Sequence, residues 1–276
     1  MNLKRHIPFT KMQGAGNDFI LFDNRAFRLN NEQISALAPA MCSRRYGIGS
    51  DGLIALEFDE SQQADLIMIY KNPDGSDAGM CGNGARCFAA FASTLGCPDQ
   101  FTFRVHDNVY RAEIDAESVR IHFPLTTRVE EIEVDDHRFL QVYTNTEHVV
   151  CAVKKETLSK ERKLVKKGRS IRQHDVFAPL GTNVNFICGS DHNLVHLQTY
   201  ERGVEDLTLA CGTGAIASAL AWHYLQNGSE GSYRYKVDVK GGELIVHFTY
   251  SDKTHQYSTI QLEGPATFVF EGHYYT

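Results

Sequence analysis

The chain has 276 residues, 42% of them hydrophobic and 22% charged, which is typical of a globular protein with one large core or two modest ones. The formal net charge of -6 gives no attraction to nucleic acid or to an anionic membrane surface, so neither partner is expected. No apolar run approaches the roughly 20 residues that span a bilayer, and no secretory signal is recognised, so we expect a cytoplasmic protein.

The predicted elements alternate between short strands and a few helices. GIGSDG (47–52) matches a dinucleotide-binding spacing, but a strand follows it directly, so that kind of site is not expected. The basic segment 154–172 is expected to form an exposed helix and loop. In chain order we predict a strand at 53–58, a helix at 85–95, strands at 101–105, 109–114 and 118–123, a helix at 215–225, and strands at 233–239, 243–248, 259–264 and 266–272.

An internal repeat relates the two parts of the chain. Segment 67–91 aligns with 197–221 at an offset of 211 − 81 = 130 residues, which superimposes Cys81 on Cys211 and their following glycines on each other. The repeat predicts a duplicated domain that faces itself across a cleft, with one buried central helix wrapped by sheet in each half. We place the halves at 1–126 plus 265–276 and at 127–264, with the seam near 125–128.

Seven cysteines are present, and two of them stand out. The odd number argues against a disulfide framework, and the absence of any C-x-x-C pair argues against a structural metal site. Cys81 and Cys211 are each the first residue of a C-G-x-G-A turn that opens a helix. A helix N-terminus lowers the pKa of a nearby thiol and attracts an anion such as a carboxylate. A thiolate and a thiol on opposite sides of one carbon would invert a stereocentre without a cofactor.

Motifs along the whole chain resemble those of the diaminopimelate epimerase family. They are GAGNDF (14–19), GIGSDGL (47–53), NPDGSDAGMCGNGARC (72–87), GTNVNF (181–186), ERG (201–203), ACGTGA (210–215) and GPA (264–266). The resemblance implies an α/β protein of the α+β type with two pseudo-symmetric halves. Each half would be a largely antiparallel β-barrel around a central helix, with the active site in the cleft between them. It also implies that Cys81 and Cys211 are the catalytic acid and base, that no cofactor or metal is used, and that the protein forms a homodimer.

The same resemblance assigns binding residues position by position. Arg202 would hold the distal carboxylate of an amino-acid substrate, and His148 and Glu201 would tune the two thiols. The implied substrate-binding residues are Asn17, Asn72, Gly82, Asn83, Asn183, Glu201, Arg202, Gly212 and Thr213.

Three departures from the family pattern leave the substrate open. Gly52 replaces a glutamine, Thr146-Glu147-His148 replaces Asn-Pro-His, and Leu207 stands in a segment that is one residue longer than usual. The predicted reaction is the epimerisation of LL-diaminopimelate to the meso form, in lysine and peptidoglycan-precursor synthesis. The alternatives are racemisation of another amino acid, a hydrolase or transferase with a single nucleophilic cysteine, and a noncatalytic metabolite-binding protein.

Overall fold

The protein is described from a computed structural model that covers residues 6–115, 118–190 and 193–276. Two compact units are present: Met1–Ile121 with Gly264–Thr276, and His122–Glu263. The sequence places the seam near 125–128, but the backbones of Phe123 and Thr127 already bond to those of Ile260 and Tyr257 within the second unit. The division therefore falls a few residues earlier.

The first unit is built from short strands and two helices. Its elements are β1 (His6–Gly14), β2 (Asn17–Asp23), α1 (Asn31–Cys42), β3 (Gly52–Phe58), β4 (Leu66–Lys71), α2 (Gly82–Thr94), β5 (Gln100–Val105), β6 (Asn108–Ile114) and β7 (Val119–His122).

The second unit has the same kind of organisation. Its elements are β8 (Val129–Val134), β9 (His137–Tyr143), β10 (Glu147–Ala152), α3 (Lys155–Leu158), α4 (Glu161–Arg172), β11 (Asn183–Ser190), β12 (Leu194–Glu201), β13 (Asp206–Leu207), α5 (Gly212–Leu225), β14 (Gly231–Val239), β15 (Gly242–Ser251) and β16 (Gln256–Gly264). The last strand, β17 (Thr267–Tyr275), pairs antiparallel with β1 and so belongs to the first unit.

The strand pairings repeat in the same order in the two units. In the first, β1–β2 is antiparallel, β2–β3 parallel, β3–β4 antiparallel, β4–β5 parallel and β5–β6 antiparallel. In the second, β9–β10, β10–β11, β11–β12, β12–β14 and β14–β15 follow the same sequence of directions. Helices bridge the parallel steps, as a parallel connection requires. The predicted duplication into two pseudo-symmetric, largely antiparallel halves is confirmed.

Each unit has a central helix surrounded by its own strands. Helix α2 packs against β1, β2, β3 and β6, and α5 packs against β8 to β12, β14 and β15. Every residue from Gly82 to Ala89 in α2 and from Gly212 to Ala221 in α5 is buried. Such all-round burial explains why both helix sequences lack a polar face.

Two further expectations are confirmed by the elements. The strand expected after the GIGSDG segment is β3, which begins at Gly52, the last residue of that segment. The basic segment forms α3 and α4, which bury Leu164 and Ile171 and expose most of their charged side chains. Among the described residues, none of the helices has the length and apolar character that crossing a membrane demands.

Candidate active site

Cys81 is the N-cap residue of α2 in the first unit. Its sulfur accepts a hydrogen bond from the backbone N–H of Gly84 at 3.5 Å, and its thiol donates to Oδ1 of Asn17 at 3.9 Å. Nδ2 of Asn83 donates to the same Asn17 oxygen at 3.4 Å. The structure thus brings together three residues that the sequence predicted as site residues, at the positive end of a helix.

Asn17 is placed by a tight turn and by an acidic partner. The turn between β1 and β2 has positive φ at both Ala15 (51°) and Gly16 (86°), which is the geometry of a two-residue hairpin turn. Asn17 then opens β2, and its Nδ2 donates to Oδ2 of Asp51 at 2.5 Å. The amide oxygen is therefore the atom that faces the thiol.

A network of charges lies next to this amide. Asp18 accepts hydrogen bonds from Lys11 at 2.6 Å and from Arg44 at 2.7 Å, and Arg44 also bonds Asp51. Burial alone would raise the pKa of Asp18, but the hydrogen bonds from Arg44 and Lys11 outweigh it and lower the pKa to about 2. Asp18 therefore stays ionised at any ordinary pH and holds the start of β2 in place.

Arg86 binds the N-terminal turn of α2. The sequence did not single it out as a site residue. It is fully buried, and its guanidinium donates to the carbonyl oxygens of Gly82 at 3.1 Å and Pro265 at 3.2 Å and to Oδ1 of Asn83 at 2.9 Å. Burial lowers the pKa of Arg86 to about 10. One side chain thus bonds both the Gly82–Asn83 turn and Pro265, which lies two residues before β17.

Asn72 and Gly52 lie at the ends of two neighbouring strands of the same unit. Asn72 follows β4, and its Nδ2 donates to Oγ of Ser76 at 3.0 Å within the next turn. Gly52 opens β3, where an added Cβ would stand 2.3 Å from the ring of Tyr70. With Tyr70 in this position, a larger side chain at residue 52 would require Tyr70 and the neighbouring backbone to shift.

Cys211 is the N-cap residue of α5, the counterpart of Cys81 in the second unit. It is 7% exposed, and its sulfur lies 3.6 Å from Oγ1 of Thr213. Thr213 Oγ1 lies in turn 3.0 Å from Nε2 of His148, whose Nδ1 is 3.0 Å from Nδ2 of Asn185. The thiol therefore ends a chain of buried polar side chains.

His148 is neutral in this environment. Complete burial lowers the pKa of its imidazole to about 3, and the nearby positive charge of Arg202 acts in the same direction. At neutral pH His148 cannot serve as a positively charged proton donor. It contacts the Thr213 hydroxyl as an uncharged hydrogen-bonding group.

Arg202 is held by residues that the sequence marked as departures. Its Nη1 lies 3.0 Å from the Glu147 carboxylate, and its Nη2 donates to Oγ1 of Thr146 at 2.9 Å. Nη1 also lies 3.2 Å from the Gly181 carbonyl oxygen, and the backbone N–H of Arg202 donates to Oδ1 of Asn183 at 2.9 Å. The predicted distal-carboxylate anchor thus already has a carboxylate beside it in this chain.

Glu201 and Leu207 lie on the two strands of a short antiparallel pair, in which Leu207 is opposite Tyr200. Glu201 ends β12 and pairs with Asp206 of β13, and Leu207 is the other residue of β13. Leu207 packs against the apolar core that contains Phe186 and Tyr200. The third departure therefore has a packing role.

The predicted site residues form three contacting groups. Asn17, Cys81 and Asn83 are in contact in the first unit, and His148, Thr213 and Cys211 form a chain in the second, where Asn183 also contacts Arg202. Sequence reasoning missed Arg86 and Asn185, although both lie inside quoted motifs, and it named Glu147 only as a departure from the family pattern. Within the described ranges, no group of three or more His, Cys, Asp and Glu side chains is arranged to hold a metal ion.

The fold defines a class of protein. A phenazine biosynthesis protein of the PhzF family from Bacillus anthracis matches with a TM-score of 0.76 at 14% identity, over 98% of this chain and 99% of that chain. A hydroxyproline epimerase from Agrobacterium vitis matches with a TM-score of 0.70 at 15% identity, over 100% of this chain and 94% of that chain. The protein therefore has the duplicated α/β fold shared by these enzymes.

Sequence similarity narrows that class to one family. The family model for diaminopimelate epimerase matches residues 9–121 and 139–269. The diaminopimelate epimerase of Flavobacterium psychrophilum is 40% identical over 265 residues, covering 95% of this chain and 97% of that protein. The chain belongs to the diaminopimelate epimerase family, which confirms the predicted resemblance, the fold class and the class of enzyme, an isomerase.

Proposed function

We propose that this protein converts LL-diaminopimelate to meso-diaminopimelate by two-base proton transfer between Cys81 and Cys211. The reaction would serve lysine and peptidoglycan-precursor synthesis in the cytoplasm. One observation carries the proposal: in both units a cysteine is the N-cap residue of the central helix, at corresponding positions of a duplicated fold. A single-cysteine hydrolase would need only one of these two sites.

The chemistry follows from the state of the two thiols. One sulfur, as thiolate, takes the proton from the substrate α-carbon, so that the C–H bond breaks and an S–H bond forms. The other sulfur, as thiol, gives its proton to the opposite face of that carbon and becomes the thiolate. The two groups exchange roles at each turnover, and no proton or electron is gained or lost.

Backbone N–H groups would bind the carboxylate next to the reacting carbon. The first turns of α2 and α5 hold such donors at Gly82–Asn83 and Gly212–Thr213, where N–H groups have no partner within the helix and the helix dipoles favour an anion. The remaining recognition is assigned to Asn17, Asn72, Asn183, Glu201 and Arg202, with Arg202 nearest the distal carboxylate. Glu201 and His148 are assigned to tuning the thiols.

Hydrogen exchange at the α-carbon tests both mechanism and substrate. The purified enzyme, without added cofactor, is incubated in deuterated water with LL- or meso-diaminopimelate, and with alanine, glutamate or proline. We expect deuterium incorporation and interconversion with diaminopimelate alone. If a short amino acid exchanged faster than diaminopimelate, the protein would be a racemase of different specificity.

Cysteine variants test the assignment of the two bases. Cys81→Ala and Cys211→Ala should each remove epimerisation while the protein stays folded. Cys97→Ser is the matched control, because Cys97 is a half-buried thiol beyond the end of α2 and has no place in the proposed chemistry. Near-normal turnover in either alanine variant would exclude a two-base mechanism.

We also propose that the protein is a homodimer that associates through β17. This strand exposes Phe268, Val269, Phe270 and Tyr275 at 45%, 54%, 48% and 67%. Several large apolar side chains exposed on one strand are typical of an interface. Val269→Lys should shift the sedimenting species from dimer to monomer, whereas Val204→Lys, at the similarly exposed Val204, should not. A monomeric wild-type protein would disprove the proposal.

A further inference from the structure

A buried chain of polar side chains leads to Cys211. His148 and Asn185 are completely buried, and Thr199 and Thr213 are 2% and 9% exposed. Buried polar groups of this kind are normally satisfied by one defined pattern of hydrogen bonds. The direction of each bond can therefore be worked out from groups that can only donate or only accept.

The amide of Asn185 has one permitted orientation. Its Nδ2 lies 3.3 Å from the backbone carbonyl oxygen of Val149, which can only accept, and its Oδ1 accepts from the Thr199 hydroxyl at 2.8 Å. A flipped amide would place two oxygens against each other. The two hydrogens of Nδ2 are thus directed at Val149 and at Nδ1 of His148, 3.0 Å away.

This orientation decides which nitrogen of His148 carries the proton. Nδ1 accepts from Asn185, so in the neutral ring the proton sits on Nε2. Burial and the charge of Arg202 keep the pKa of the ring at about 3, so the ring is neutral at physiological pH. Nε2–H then donates to Oγ1 of Thr213 at 3.0 Å.

Because the Thr213 oxygen accepts the hydrogen bond from His148, its own hydroxyl hydrogen can be donated to another group. The sulfur of Cys211 lies 3.6 Å away, within reach of a donor to sulfur. We propose that Asn185 is a positioning residue whose amide fixes the direction of the hydrogen bonds from His148 to the Cys211 sulfur. The Thr213 hydroxyl then donates to that sulfur and favours its thiolate form. The value of this arrangement to catalysis rests on the proposed function, but the arrangement itself does not.

Nitrogen NMR of the imidazoles tests the first link directly. The His148 signals are assigned by their loss in His148→Gln. In the wild type we expect the Nε2-protonated neutral form across the neutral pH range. Asn185→Leu, which removes the donor to Nδ1, should populate the Nδ1-protonated form. An Nδ1-protonated ring in the wild type, or an unchanged ring in Asn185→Leu, would overturn the proposal.

Alkylation of Cys211 tests the last link. Its rate with iodoacetamide is followed against pH by peptide mass analysis, in protein without substrate. Thr213→Val keeps the side-chain shape but removes the hydroxyl, and loss of one hydrogen bond to a thiolate should raise the midpoint by about one pH unit. Asn185→Leu should shift it in the same direction by less, and Thr213→Ser should keep the wild-type midpoint.

Thr144→Val is the matched control for these variants. Thr144 is also completely buried and donates to the Thr213 carbonyl oxygen at 3.3 Å, but it lies outside the chain of bonds to the sulfur. Its midpoint should match the wild type; a shift equal to that of Thr213→Val would mean that packing alone is responsible and would refute the inference. Both measurements are independent of turnover, so they stand apart from the deuterium experiment that tests the proposed function.

Discussion

Replacing Glu147 by Gln separates two opposite roles for this carboxylate. If Glu147 competes with the substrate carboxylate for Arg202, its removal should tighten binding. If it holds Arg202 in place for the substrate, its removal should weaken binding. The sign of the change in KM therefore distinguishes the two.

The structure favours competition. Arg202 keeps hydrogen bonds to Thr146 at 2.9 Å and to the Gly181 carbonyl oxygen at 3.2 Å, and neither depends on the carboxylate of Glu147. The side chains of Arg202 and Glu147 are 29% and 31% exposed, so their ion pair resembles those that contribute up to about 1 kcal/mol. Since 1.4 kcal/mol corresponds to about a tenfold change in affinity, we expect KM for diaminopimelate to fall by up to about fivefold in Glu147→Gln.

The assay compares the steady-state kinetics of four variants with those of the wild type. Glu243→Gln is the control. Glu243 lies on β15 of the same unit and forms an ion pair of the same 3.0 Å length with Lys236, which the substitution breaks. Arg202→Ala should lose several kcal/mol of transition-state binding, and Arg202→Lys should recover little, since a point charge cannot replace the planar fork. A higher KM in Glu147→Gln would show that the competition argument is wrong.

Three further predictions concern the supports of the site. Arg86→Leu should lower the free energy of unfolding in urea by about 3 kcal/mol, because two buried acceptors and one half-buried acceptor lose their donor; a loss below about 1 kcal/mol would contradict this. The pKa of Asp18 is about 2 in the folded protein, against an ordinary value of 3.8. The ionised carboxylate should therefore contribute about 2 kcal/mol of stability at pH values above 3.8, and this contribution should vanish as the pH falls through about 2. Asp18→Asn should flatten the plot of stability against pH in this range. Alanine has a higher helix propensity than glycine, but Gly214→Ala should lower the melting temperature, because the new Cβ would stand 2.6 Å from Oδ1 of Asn185.

Much of the fold follows from local patterns in the sequence. The apolar segments at 85–95 and 215–225 and the alternating strands around them predict their elements because burial imposes a period on each strand and an all-round apolar surface on each central helix. The repeat at Cys81 and Cys211 predicts the duplication because equivalent backbones keep equivalent turns. The helices begin earlier than predicted, at Gly82 and Gly212, since the N-cap position and burial offset the poor helix propensity of glycine.

The partners of the site residues were decided by the tertiary structure. Arg86 reaches Pro265, 179 residues away, only because β17 returns to pair with β1. Asn185 meets His148 because β10 and β11 lie side by side in parallel, and a shift of one residue in their register would turn the amide to the other face. Residue types and spacing therefore identify the two thiols, whereas strand register determines which neutral groups surround them, because hydrogen bonds depend on distances that no local pattern specifies.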